Sequence, residues 1–147
     1  MTPALFYKIL RQNFPFSPTL KQDIFLQKIA EFVTGGAKDD LFVLKGYAGT
    51  GKTTIISTLV NHLVDAKMKY VLLAPTGRAA KVISGYSNRQ AFTIHKRIYF
   101  PKKGAGEGMG FTLQINKFKD TVFIVDEASM IGDTPNDSKL YENGSLL

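Results

Sequence analysis

The chain places an apolar run, Leu41-Phe-Val-Leu44, directly before Gly46-Tyr-Ala-Gly-Thr-Gly-Lys52-Thr53, and no other stretch restricts its fold as strongly. The second segment fits G-x-x-x-x-G-K-[ST] at every fixed position, a pattern that calls for strand, loop and helix in that order. Its glycines let the backbone curl so that successive N–H groups from Gly46, Ala48, Gly49, Thr50 and Gly51 turn inward toward a phosphate. A helix opening near Gly51 adds the N–H groups of its first turn, Lys52 to Thr54, and the positive end of its dipole. Lys52 supplies a point charge for β- and γ-phosphates, and Thr53 a hydroxyl for Mg²⁺. The pattern predicts a nucleoside triphosphate site; a plain glycine-rich turn is the bland alternative.

A chain of 147 residues suits one domain with a real core. Its 44% hydrophobic and 21% charged residues are ordinary for a globular protein and argue against wholesale disorder. Cysteine is absent, which excludes disulfides and thiolate metal sites. The N-terminus lacks a charged region followed by an apolar core, so it does not read as a signal peptide. No apolar run approaches the roughly 18 residues of a spanning helix. The expectation is a cytoplasmic protein without membrane association. A net charge of +7 favours a polyanionic partner, and a bound triphosphate cancels only part of it.

Along the chain, Leu5-Phe6 and Ile9-Leu10 space their apolar residues as a short amphipathic helix, ended by Phe14-Pro15-Phe16. Ser17 is placed to cap a second helix with Pro18 in its first turn, and Leu20, Ile24, Phe25, Ile29, Phe32 and Val33 follow at helical spacing. Gly35-Gly36 stops it. Leu41 to Lys45 reads as a buried strand, Lys52 to about Asp65 as a helix, and Tyr70 to Ala74 as a second strand. Thr76 to Ser84 reads as a turn and helix, Phe92 to Tyr99 as helical or irregular, and Thr121 to Val125 as a third buried strand. Strands apolar on both faces and separated by helices predict an α/β fold with a parallel sheet.

Val122-Phe-Ile-Val-Asp126-Glu127 puts an acidic pair at the C-terminal end of a strand, where α/β sheets place their ligands. Asp126 suits Mg²⁺, directly or through water, and Glu127 is placed to polarise a water for attack on the γ-phosphate. A solvated pair capping the next helix is the alternative.

Leu72-Leu-Ala-Pro75-Thr76-Gly77-Arg78-Ala79-Ala80-Lys81, the phosphate loop and Asp126-Glu-Ala-Ser-Met130 occur in an order that resembles the first motor domain of superfamily 1 DNA helicases, its RecD/Dda-like branch above all. The likeness runs from about Pro18 to Met130. It implies a RecA-like P-loop NTPase domain across residues 1–147, with ATP and Mg²⁺ as cofactors, Lys52 and Glu127 as catalytic residues and single-stranded DNA as partner. In that family the counterpart of Pro75-Thr76-Gly77-Arg78 contacts the tracked strand. The Thr76 hydroxyl, free N–H groups and the Arg78 fork suit phosphate oxygens. Ala91-Phe-Thr93-Ile-His95-Lys96 resembles the next strand-contacting motif, with Thr93 or His95 donating to phosphate or the imidazole stacking on a base. Gln22, within the N-terminal helices of residues 1–36, matches the family's adenine-reading glutamine, because a side-chain amide donates and accepts at once. Residues 97–116 match the place of an inserted hairpin that wedges a duplex fork, where Tyr99, Phe100 and Phe111 would stack on bases and Lys102 and Lys103 meet phosphates.

The family also carries further strands, a glutamine motif and a second motor domain with charge-stabilising arginines, none of which follows Asp126 here. The expectation is therefore a partial domain, incomplete at its C-terminus, that binds nucleotide and unwinds nothing alone. A forked duplex and the second motor domain would be partners of the longer protein. Two other readings stay open: a P-loop ATPase or kinase of another class, and a stand-alone nucleotide- or DNA-binding module.

Overall fold

The computed structural model describes residues 1–36, 40–47, 49–103 and 109–132, with backbone alone for 100–103 and 109–112. Two compact units share the chain. The first holds residues 1–70, 86–88 and 120–122. Helix α1 (Pro3–Gln12) opens on Thr2, whose hydroxyl accepts from the Leu5 N–H at 3.2 Å, with Pro3 in the first turn. It packs on the next two helices through Phe6 and Leu10, one turn apart and fully buried. Arg11 closes the pairing: its guanidinium lies 2.8 Å from Asp23, which also accepts from the Tyr7 hydroxyl at 2.7 Å.

Helix α2 (Leu20–Thr34) starts later than the sequence suggests, and Thr19 rather than Ser17 caps it. The reason is reciprocal bonding. The Thr19 hydroxyl accepts from the Gln22 N–H at 3.2 Å while the Gln22 side chain accepts from the Thr19 N–H at 2.9 Å. Gln22, Leu26, Ile29, Ala30 and Val33 face inward; Leu20 and Ile24, expected on that stripe, are exposed.

The buried strand expected at Leu41 to Lys45 is a correction: among the described residues the segment pairs with no strand. Phe42 packs against Phe25 and Phe32 of α2, each with ring centroids 5.4 Å apart, while Leu41 and Val43 are 87% and 60% exposed. Alternation persists because one face is covered and the other has no neighbour. Helix α3 (Lys52–His62) follows the loop and buries Ile55, Ile56, Leu59 and Val60. It tightens into a 3₁₀ turn over Leu63–Ala66, and Lys67 at φ +57° redirects the chain.

The second unit holds residues 71–85, 89–119 and 123–147. Strand β1 (Lys69–Ala74) is central, between β2 (Phe92–Thr93) and β5 (Thr121–Val125). It runs parallel to β2, with Leu73 opposite Phe92 and Ala74 opposite Thr93. It also runs parallel to β5, since Lys69 N–H donates to Asp120 C=O and Asp126 N–H to Leu73 C=O, so both strands advance together. Helices α4 (Gly77–Ser87) and α5 (Ile94–Ile98) complete an α/β fold whose parallel sheet is flanked by helices. Val71, Leu73 and Ile94 form a core joined by Phe92, Ile98 and Ile131. β5 corrects the expectation of burial on both faces: Phe123 and Val125, two residues apart and so on one face, are exposed, which leaves that face only partly covered among the described residues. Strands β3 (Tyr99–Lys103) and β4 (Met109–Leu113) pair antiparallel, from Tyr99 opposite Leu113 to Lys103 opposite Met109. Among the described residues, no helix is long and apolar enough to cross a membrane.

Candidate functional site

In the first unit, the backbone around Gly46–Thr53 curls on glycine. Thr50 turns back on itself: its N–H and hydroxyl both donate to the Tyr47 C=O, at 3.3 and 2.7 Å. A Cβ at Gly46 would lie 2.7 Å from the Thr50 hydroxyl oxygen, so a larger residue there would force the Thr50 side chain to move. Gly49 and Gly51 take φ of +80° and +84°, the left-handed region open to glycine at no steric cost. Gly51 is also the N-cap of α3 and has no side chain with which to cap it, which leaves the first-turn N–H groups of Lys52, Thr53 and Thr54 available to an anion. Lys52 folds its ammonium back onto the Gly46 C=O, over the loop itself. This arrangement is a phosphate cradle in its chemistry: glycine-shaped backbone, helix N-terminus and one ammonium. Ala48 lies outside the described residues.

Gln22 reaches this loop from α2. Its Oε1 accepts from the Thr19 N–H, and its Nε2 donates to the Thr50 C=O at 3.2 Å. Beside the loop, a groove of about 300 Å³ runs along α3, lined by Asn13, Pro15, Thr53, Thr54, Ser57, Thr58, Asn61, His62 and Tyr86. Beyond Thr53 and Thr54, sequence reasoning gave these groove residues no part in a site. The signal was available: Thr54, Ser57, Thr58, Asn61 and His62 recur at helical spacing opposite the buried Ile55, Ile56, Leu59 and Val60. His62 itself sits 3.0 Å from the Asp65 carboxylate.

In the second unit, the carboxyl ends of three parallel strands come together. β1 leads into Pro75 and Thr76, β2 ends on Thr93 beside Ala74, and β5 leads into Asp126, whose N–H donates to the Leu73 C=O. This edge is where open α/β sheets bind ligands. Asp126 Oδ1 accepts from the Glu127 N–H at 2.9 Å. Glu127 takes φ +55°, rare for a residue with a Cβ, and stands at the start of the turn over Ala128–Met130 with its side chain exposed. The hard carboxylate oxygens of Asp126 are of the kind Mg²⁺ takes beside substrate phosphates, where it needs no preformed cage.

Pro75 is buried, whereas Thr76 and Arg78 are exposed. The Thr76 hydroxyl accepts from the Ala79 N–H at 3.1 Å, capping α4, and the Thr93 hydroxyl accepts from the Lys96 N–H at 3.3 Å, capping α5. His95 packs near Tyr99, with ring centroids 6.2 Å apart, and burial pushes its pKa below the ordinary 6.5. Arg97, another residue whose placement the sequence did not reveal, lies between the rings of Phe92 and Phe118, at 4.7 and 5.3 Å. The side chains of Phe100, Lys102, Lys103 and Phe111 lie outside the described residues.

A family model described as an AAA domain matches residues 29–142. The chain is 31% identical to the ATP-dependent RecD2 DNA helicase of Deinococcus radiodurans, over 63% of this chain and 12% of that protein. It is 29% identical to the RecBCD enzyme subunit RecD of Haemophilus influenzae, over 95% of this chain and 25% of that one. It is 32% identical to the ATP-dependent DNA helicase dda of Enterobacteria phage T4, over 67% and 22%. The chain thus spans a quarter or less of the length of these relatives. No solved structure matches it. With a phosphate cradle on one helix, a parallel sheet and this match over most of its length, the chain belongs to the AAA-domain family, as a P-loop NTPase domain related at low identity to helicases of the RecD and Dda kind.

Proposed function

We propose that the chain is the ATP-binding part of an ATP-dependent DNA helicase that moves along single-stranded DNA. The observation that carries this reading is the uncapped start of α3 behind a loop shaped by left-handed glycines. Lys52 leaves the Gly46 C=O for the β- and γ-phosphates, and the N–H groups of Gly51 to Thr54 take the phosphate oxygens. The nucleoside extends into the groove along α3, whose volume suits a ligand of that size. Thr53 would hold Mg²⁺, which when bound neutralises charge on the phosphates. Glu127 polarises the attacking water, its carboxylate presented by the left-handed turn.

Thr76, Arg78, Thr93 and His95 take the strand. Capping does not compete with this role. A hydroxyl that accepts from an N–H keeps its own O–H to donate, so Thr76 and Thr93 can hold a helix start and a phosphate oxygen together. Arg78 adds an exposed guanidinium on the same turn.

The competing reading, a P-loop NTPase of another class, makes no strand contact. Titration with a labelled single-stranded oligonucleotide separates the two. Salt-sensitive binding that weakens in Arg78→Ala supports the helicase reading; salt-independent binding, or none, removes it.

A further inference from the structure

The segment that joins β4 to β5, Gln114-Ile-Asn-Lys117-Phe118-Lys119, has no part in the proposed function, and every residue of it is exposed. It sets an aromatic ring between two lysines. An exposed ring on a connecting segment usually has little to hold it, but Phe118 is held from three sides. Its N–H donates to the Asn116 side chain at 3.0 Å, an Asx turn that fixes the backbone. The Arg97 guanidinium lies over one face of the ring at 5.3 Å, and the Phe123 ring stands perpendicular to it at 5.3 Å. Even so, Phe118 keeps 40% of its surface in solvent.

Arg97 is itself fixed, with its guanidinium 4.7 Å from the Phe92 ring. Its Nε is buried and, among the described residues, has no hydrogen-bond partner, and no carboxylate pairs with it there. The charge behind Phe118 is therefore not cancelled. From Ala91 to Lys119 the chain carries Lys96, Arg97, Lys102, Lys103, Lys117 and Lys119 against the single acid Glu107. An apolar protein partner seated on Phe118 would strip water from neighbouring cations and return nothing to them. A nucleic acid strand supplies both things the surface lacks, a π-face for the ring and phosphates for the cations. Phe92, Arg97, Phe118 and Phe123 all belong to the second unit.

We propose that Phe118 is a stacking platform for a base of single-stranded DNA, backed by Arg97 as its positioning residue and flanked by Lys117 and Lys119 for the phosphates. This contact is additional to Thr76, Arg78, Thr93 and His95, and it rests on the reading of the chain as part of a strand-tracking helicase.

The test uses the full chain with labelled oligothymidylate and a phosphodiester chain of equal length whose sugars carry no bases. Phe118→Leu keeps an apolar side chain and removes the π-face. Oligothymidylate should then bind roughly five- to a hundredfold more weakly, with the baseless chain almost unaffected. Arg97→Lys, which keeps the charge but removes the flat surface behind the ring, should act in the same direction. Because the chain has no tryptophan, Phe118→Trp adds a single reporter, whose emission should be quenched by oligothymidylate and not by the baseless chain. Equal losses on both probes in Phe118→Leu, or unchanged emission of the Phe118→Trp protein at saturating oligothymidylate, would overturn the proposal. Binding that weakens in Arg78→Ala but not in Phe118→Leu would overturn this proposal alone. A parent chain that binds neither probe removes the helicase reading, and this inference with it.

Discussion

Gly51 carries two demands at once, a left-handed backbone and room for the Gln22 amide. Alanine meets neither. Gly51→Ala should destabilise the chain by about 1–2 kcal/mol from backbone strain alone, seen as a lower melting temperature, and should weaken triphosphate binding further. Wild-type stability and affinity in that variant would contradict the loop geometry. His95 predicts a pH dependence of definite sign. Burial lowers its folded pKa below the unfolded value near 6.5, so the unfolded chain takes up a proton first as pH falls. Its contribution is complete above about 6.5 and is lost as pH drops from there through the folded value. His95→Gln should flatten the unfolding free energy over that window, measured by denaturant titration at several pH values. At neutral pH the imidazole is uncharged, which fits stacking on a base better than pairing with a phosphate.

The helices were legible in the sequence because their signals are local. Phosphate-loop spacing fixes the start of α3, and glycine fixes the end of α2. Thr19 shows how a local rule is misapplied: Ser17 has the right chemistry, but Thr19 has Gln22 three residues on to complete the box. Thr19→Ala should cost about 1 kcal/mol, read from chemical denaturation, and should also loosen the Gln22 side chain at the loop. The segment from Leu41 to Lys45 shows where local reading stops. Its apolar alternation is real, yet a strand is made by pairing, and pairing is not written in the segment itself. The reach of Gln22 to Thr50, the burial of His95 and the seat of Arg97 between Phe92 and Phe118 all join residues distant in sequence, or depend on packing, so no motif announces them.

Across the whole molecule, a charge of +7 exceeds what one triphosphate neutralises, and under the proposed function the surplus serves the single strand. Binding of a single-stranded oligonucleotide should weaken linearly on a log–log plot against salt, with a slope of about −0.7 for each phosphate neutralised. Arg78→Ala should make that slope shallower by about one phosphate's share, while leaving ATP affinity intact. A changed ATP affinity would place Arg78 in a different role. The central claim is that the loop from Gly46 to Thr53 holds a nucleoside triphosphate, and calorimetric titration of the chain and its Lys52→Ala variant with Mg-ATP tests it most directly. Saturable binding by the parent chain, weakened roughly ten- to a hundredfold when the ammonium is removed, is the predicted result. Equal affinity in both proteins would show that ATP binds elsewhere or not at all.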